Sequence, residues 1–260
     1  MTPPPTAPVP PRGLLTIVLP AKNEEAALAR TMRALPRGTL DALGLDVEVV
    51  VLDGHSVDAT AAIGRRWGAV VIEDREPGKG NAVRNAVKAL RGDYVVMLDA
   101  DGTYPPDTIP RMLFPLLRGT AEVVVGDRVP QEGAMVGSHV LGNVLLSTYS
   151  SLLYGRRCRD VCTGLWAFRS DILRALPLQS RGFGLEAELF GLAARMRLRV
   201  AHVPFDYLPR HGLTKLNTGR DGLRILRRLL RTRLAPIPRL RPGSGAPSPQ
   251  TSPSPGEVQA

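Results

Sequence analysis

Residues 92–106 read GDYVVMLDADGTYPP, and the fold turns on them. Tyr94 to Leu98 form a β-rich apolar run with no Gly or Pro inside, which suits a strand buried on both faces of a parallel sheet. The run stops at Asp99-Ala100-Asp101, and Gly102 with Pro105-Pro106 opens the next element. Open α/β sheets gather their ligands at the carboxyl ends of strands, so two carboxylates there carry chemical meaning. Carboxylate oxygens suit a hard divalent cation, Mg²⁺ or Mn²⁺, that keeps positions open for a substrate phosphate. A lone D-x-D also arises by chance, as a turn cap beside a solvated aspartate, so the neighbouring segments must decide.

Working outward, LLTIVLP from Leu14 is a buried-strand run stopped by Pro20. Asn23 is placed to cap a helix whose first turn holds Glu24 and Glu25. Asp46–Asp53 (DVEVVVLD) is a second strand, again with a carboxylate at its end, and Ser56-Val57-Asp58 opens a helix running to about Arg66. Val70-Val71-Ile72 is a third strand. The turn EPGKGN (76–81) leads into a helix over 82–91, with Val83, Val87 and Leu90 on one face. A helix over 107–117 and a strand over 122–126 follow. Apolar strands alternating with helices predict an α/β domain with a mostly parallel central sheet covered on both faces.

After Gly126 the alternation weakens. Residues 139–154 (HVLGNVLLSTYSSLLY) are helical in pattern and too short to cross a bilayer. A helix around 186–196, a strand over 200–205 and a polar turn at 208–217 come next. The last helix, over 220–234, places Leu223, Leu226, Leu229 and Leu230 on one side and arginines on the other.

Composition narrows the function classes. At 43% hydrophobic and 22% charged, the 260 residues have the balance of a soluble globular domain. The net charge of +10 is concentrated after Arg195, which implies an anionic partner: nucleic acid, a phosphorylated substrate or an acidic membrane surface. Aromatics are 5% of the chain and are not interleaved with the basic residues, so base stacking is poorly served and nucleic acid is not expected as a partner. Residues 1–13 form a Pro-rich leader with neither a basic start nor an apolar stretch, unlike a signal peptide, and 235–260 read as a disordered Pro/Ser-rich tail. Cys158 and Cys162 are expected to be buried free thiols. There is no P-loop, no strand-adjacent G-x-G-x-x-G and no nucleophile elbow.

Three strands thus end in polar groups, at Pro20–Glu24, Asp53–Asp58 and Asp99–Asp101. In a parallel sheet these ends share one crevice. That convergence makes Asp99 and Asp101 a candidate metal site, with Lys79, in its Gly-flanked loop, within reach of a phosphate there.

LPAKNEE (19–25), DGHSVDAT (53–60), GKGNA (78–82), LDADGTYPP (98–106) and GDR (126–128) come in the order found in family 2 glycosyltransferases. DVCTGLWAFR (160–169), VPFDY (203–207) and RHGLTKL (210–216) narrow the likeness. Together they resemble the dolichyl- and polyprenyl-phosphate hexosyltransferase branch, typified by dolichyl-phosphate mannosyltransferase. The resemblance spans Leu14 to Leu234 and implies a GT-A fold. It implies a Rossmann-like nucleotide-sugar and metal half over 14–128 and an acceptor half over 129–234. Pro20, Lys22, Glu24, Leu52, Asp53 and Lys79 would line the nucleotide-sugar site, and Asp99, Ala100 and Asp101 would hold the diphosphate through the metal. Arg128, Arg210 and Lys215 would face the acceptor phosphate, with Asp101, Arg210 and Lys215 catalytic.

The reaction so implied is a metal-dependent inverting transfer of a hexose from a UDP- or GDP-sugar to a polyprenyl or dolichyl phosphate. The expected location is cytoplasmic, peripheral on the inner face of the cell membrane, with the terminal helix against anionic lipid. The alternative is a soluble family 2 enzyme with a small-molecule or sugar-hydroxyl acceptor, for which Asp160, Glu186 or Glu188 would be the base. Three positions depart from the pattern. Asp53-Gly54 stands where many relatives have D-D, leaving uridine or guanosine open; G-D-R stands for G-S-R; and the 210–215 Arg-to-Lys spacing is one residue shorter.

Overall fold

The computed structural model describes residues 12–74, 76–135, 137–182, 184–210 and 218–236. The apolar runs form one seven-stranded sheet of β1 (Gly13–Ala21), β2 (Leu45–Asp53), β3 (Val70–Glu73), β4 (Tyr94–Met97), β5 (Val123–Pro130), β6 (Trp166–Arg169) and β7 (Val200–Tyr207). The order is β3-β2-β1-β4-β6-β5-β7. β1 pairs in parallel with both β2 and β4, β2 with β3, and β5 with β7. β6 is antiparallel to β4 and β5, so the sheet is mixed rather than wholly parallel. The chain leaves β5 at the carboxyl edge, and the loop before β6 returns to that same edge, where Gly164 meets Asp99. Entering from that side, β6 can only run against its neighbours.

The helices are α1 (Glu25–Arg33), α2 (Arg37–Ala42), α3 (Thr60–Arg66), α4 (Lys79–Ala86), α5 (Ile109–Leu117), α6 (Gly137–Tyr154), α7 (Ser170–Ala175), α8 (Leu185–Arg195) and α9 (Thr218–Leu234). Alternation along each strand feeds a core on each face. Leu15, Ile17 and Leu19 of β1 pack with Leu28 and Met32 of α1 and Ile109 and Met112 of α5. Val18 points the other way, to a core shared by Trp166, Phe168, Leu185, Leu189 and Leu229.

Some boundaries differ from the sequence reading. α3 begins at Thr60 rather than Ser56, and α4 begins at Lys79, three residues before Ala82, and gives way to a 3₁₀ turn at 87–89. α2 buries only Leu40, too little for its period to register in the sequence. The leucine side of α9 is split. Asp221, Ile225, Leu229 and Thr232 face the protein, whereas Leu223 and Leu230 are exposed beside the arginines and Leu234 is 80% exposed. Among the described residues no helix is long and apolar enough to cross a membrane.

Candidate active site

β1 and β2 run in register to their ends, with Pro20 opposite Leu52 and Ala21 opposite Asp53. The two loops that follow are stitched together. Asn23 takes a left-handed conformation (φ 51°), which asparagine tolerates. Its N–H donates to Ser56 Oγ at 2.9 Å, and its Oδ1 accepts from the Val57 N–H at 2.9 Å. The Glu24 N–H donates to Thr60 Oγ1 at 2.8 Å, and the Glu25 N–H to Asp58 Oδ2 at 3.2 Å. In return the Ala59 N–H donates to Glu25 Oε2 at 3.0 Å. Asn23 therefore does not cap its own helix as expected. The N-termini of α1 and α3 satisfy one another's orphan donors instead. Lys22 is exposed beside Gly54.

β4 continues the pairing beyond its end: the Leu98 N–H donates to the Val18 carbonyl at 3.1 Å and the Ala100 N–H to that of Pro20 at 3.4 Å. This sets Asp99-Ala100-Asp101 at the carboxyl edge beside β1, one strand from Asp53. Asp101 is 7% exposed. Its Oδ1 accepts from the Thr103 N–H (3.1 Å) and hydroxyl (2.6 Å), and its Oδ2 lies 3.1 Å from Arg210 Nη1. Arg210 also donates through Nη2 to Glu24 Oε1 at 2.7 Å, so one guanidinium spans two carboxylates from different strand ends. Lys79 Nζ bridges Asp99 Oδ1 (2.5 Å) and Glu186 Oε1 (2.7 Å) at the N-terminus of α8. Asp53 is buried; its Oδ2 accepts the Ser56 N–H at 3.1 Å, while its Oδ1 has no partner among the described residues.

The site's charges are strongly perturbed. Burial pushes the Asp101 carboxyl up, with the Asp99 charge adding to it; the Thr103 hydrogen bonds and Arg210 oppose. Burial also works against the Lys79 ammonium, but Asp99 and Glu186 outweigh it and hold it above the usual lysine range. A pair of neighbouring carboxylates in which ionisation of Asp101 is opposed fits a divalent cation, whose charge would relieve that opposition. Among the described residues no three His, Cys, Asp or Glu side chains form a metal cage. An ion on Asp99 and Asp101 would have two carboxylate ligands, and hard divalent cations fill their other positions with water and phosphate.

The other predicted residues fall into separate groups. Arg128 is buried and forms a bidentate pair with Asp160, Nε to Oδ2 at 2.6 Å and Nη2 to Oδ1 at 2.7 Å, with its guanidinium 5.2 Å from the Tyr207 ring centre. Asp127 points to the opposite face of the sheet, to His202 Nδ1 at 2.9 Å and Arg159 at 3.3 Å. Of the three carboxylates weighed as a base, Asp160 is taken by Arg128, and Glu188 accepts from the Gln179 and Ser180 N–H groups. Only Glu186 reaches the crevice. Lys215 lies outside the described residues. Sequence reasoning missed Gly164: a Cβ there would lie 2.4 Å from Asp99 Oδ2, so the glycine makes room for that carboxylate. It also missed Thr103, whose signal was its place two residues after Asp101.

A model described as glycosyl transferase family 2 matches residues 16–176. The chain belongs to glycosyl transferase family 2. As a family 2 glycosyltransferase it is 35% identical over 212 residues to the dolichyl-phosphate hexose transferase of Haloferax volcanii, covering 81% of this chain and 90% of that one. It is 33% identical over 220 residues to the low-salt glycan biosynthesis hexosyltransferase Agl6 of the same organism. That match takes in 83% of this chain but 53% of Agl6, so the chain spans about half of that relative's length. The dolichyl-phosphate relative agrees with the resemblance to the polyprenyl-phosphate branch. The fold is GT-A. It matches glucosyl-3-phosphoglycerate synthase of Mycobacterium tuberculosis in complex with Mn²⁺, UDP-glucose and phosphoglyceric acid with a TM-score of 0.69 at 25% identity. That match covers 86% of this chain and 81% of the other.

Proposed function

We propose that this glycosyltransferase moves a hexose from a nucleotide-diphosphate sugar to a polyprenyl phosphate, with inversion and with a divalent cation, Mg²⁺ or Mn²⁺. The observation that carries the reading is the pairing of Arg210 with Glu24 and Asp101 and of Lys79 with Asp99 beside the ends of β1 and β4, with Asp53 at the end of the adjoining β2. Pro20, Lys22 and Asp53 stand at the strand ends where the nucleoside would bind, while the Leu52 side chain is buried in the core behind them and could offer only its backbone. The Asp53 Oδ1, which has no partner among the described residues, suits an N–H or hydroxyl donor. Asp99 and Asp101, flanking Ala100, would hold the cation, which supplies Lewis-acid neutralisation of the leaving diphosphate.

Lys79 and Arg210 add fixed positive charge at the same place, where low dielectric strengthens it. Both pair with carboxylates here, and an ion held by Asp99 and Asp101 would leave part of each cation for a phosphate. Lys215, by resemblance, joins Arg210 on the phosphates. Arg128 has only the N–H groups beyond its Asp160 pair left for an acceptor phosphate. A phosphate monoester is already anionic near neutral pH, so this acceptor needs no general base.

A lipid acceptor also fits the surface. α9 exposes Leu223, Leu230 and Leu234 beside Arg224, Arg227, Arg231 and Arg233, and α6 exposes Leu141, Leu145 and Leu152. Apolar side chains set among arginines suit peripheral docking on an anionic, cytoplasmic membrane face. The second reading, a soluble hydroxyl acceptor, is favoured by Glu186, which sits across Lys79 from Asp99 where a base would be useful. Incubating the enzyme with labelled UDP- and GDP-hexoses, Mn²⁺ and either polyprenyl phosphate or soluble acceptors separates the two. Label in the lipid phase supports the first reading; label only in water-soluble product overturns it.

A further inference from the structure

Lys79 is gripped from behind. A Cβ on Gly78 would lie 2.2 Å from the Arg181 carbonyl oxygen, and one on Gly80 would lie 2.6 Å from that of Ser180. Gly78 moreover sits at φ +112°, a conformation open to glycine and rarely to other residues. The Asn81 N–H donates to the Arg181 carbonyl at 3.3 Å. With backbone against backbone on both sides, Lys79 goes where residues 180–181 go.

Those residues are fixed in turn by Glu188, whose side chain is 3% exposed. Its Oε1 accepts from the Gln179 N–H at 3.0 Å and its Oε2 from the Ser180 N–H at 2.7 Å. Arg228, on the inner side of α9, donates to Glu188 Oε1 at 3.3 Å, and its stem lies so close that a Cβ on Gly184 would come within 3.1 Å of it. Burial pushes the Glu188 carboxyl up; the Ser180 N–H, the Arg228 charge and the Gln179 N–H oppose it. The proposed chemistry makes no use of Glu188. It nevertheless concentrates a buried charge, two backbone donors and a guanidinium at one point two residues past Glu186.

We propose that the Glu188–Arg228 pair is a positioning device that holds Lys79 at the phosphate end of the crevice and so ties the terminal helix to donor affinity. The proposal rests on the reading that Lys79 meets the donor diphosphate. The same helix then faces outward with leucines and arginines and inward with the residue that sets a lysine on another element.

A double-mutant cycle on the full chain tests this, with UDP and GDP titrated in the presence of Mn²⁺ by calorimetry. Folding is checked by circular dichroism and urea unfolding. Glu188→Gln turns one acceptor oxygen into a donor facing a backbone N–H, and should weaken nucleotide binding about tenfold. In a Lys79→Met background the same change should cost less than about twofold, because the route through Lys79 is already gone. Arg228→Met should follow Glu188→Gln and serves in its place if that variant does not fold, while Arg228→Lys should keep most of the affinity. Glu188→Gln or Arg228→Met weakening binding equally in both backgrounds overturns the proposal, since a merely structural loss would do that. Unchanged affinity in the wild-type background also overturns it. If Lys79→Met itself binds both nucleotides like wild type, the role of Lys79 fails first and the proposal goes with it.

Discussion

Gly164→Ala puts the candidate site under its sharpest test. The added methyl would lie 2.4 Å from Asp99 Oδ2, 2.9 Å from its Cγ and 3.1 Å from the Tyr104 hydroxyl. Ordinary contact begins near 3.4 Å, so the Asp99 carboxylate has to retreat by about 1 Å. It has somewhere to go, because the Asp99 side chain is 30% exposed, and Gly164 does not occupy the left-handed region. The strain is therefore relieved at a flexible side-chain end, and the stability cost should fall at the lower end of the range for overpacking, about 1 kcal/mol. The same retreat drags Asp99 from Lys79 and from its place beside Asp101. A misplacement of about 1 Å at a reacting centre can cost about 100-fold in turnover, equivalent to about 2.7 kcal/mol of barrier. Urea unfolding and labelled-hexose transfer, run on the same preparation, should show activity falling far more than stability. Turnover within about threefold of wild type, in a variant that still folds, would refute a working role for Asp99.

Three further outcomes follow from the geometry. Asp160→Ala leaves Arg128 buried and unpaired and should destabilise the fold by about 3–5 kcal/mol, whereas Arg128→Met/Asp160→Leu should recover most of that; equal losses in urea would sink the argument. Burial pushes the Cys162 thiol up to about 12 and raises Cys158 as well, so at pH 8 only about 1 in 10⁴ Cys162 side chains is thiolate. Cys158 is buried as expected but Cys162 is only half-buried, so Cys158 should resist alkylation until the protein unfolds; prompt labelling of Cys158 in native protein would contradict that burial. In flotation with anionic vesicles, Leu145→Ser/Leu152→Ser should reduce binding at least about threefold and high salt should reduce it further; wild-type protein that stays in the pellet would remove the docking surface.

Strand identity and the carboxyl edge at which the strands end were legible in the sequence because both rest on local signals. A five-residue apolar run such as 94–98 has few alternatives to a buried strand, and a carboxylate at the end of such a run must emerge at the sheet edge. By the same logic Asp53, Asp99 and Asp101 could be assigned to one edge of the sheet before any coordinates. What the chain alone left undecided were relations between distant segments. WAFR (166–169) is too short to announce a strand, and its reversed direction depends on the edge at which the preceding loop arrives. The Asn23 side chain served a neighbouring loop 34 residues away rather than its own helix, because the pairing of β1 with β2 brought the two loops together. α9 divided its leucines between core and solvent according to where α8 stood, which a helical wheel does not contain. Sequence thus determined which residues reach the carboxyl edge, since strand burial is written in nearest-neighbour pattern. Only the tertiary structure decided who pairs with whom there, Lys79 with Asp99 and Glu186, Arg210 with Glu24 and Asp101, Arg128 with Asp160. Those contacts join residues as far as 186 positions apart, and their energies exist only once the sheet has brought them within reach.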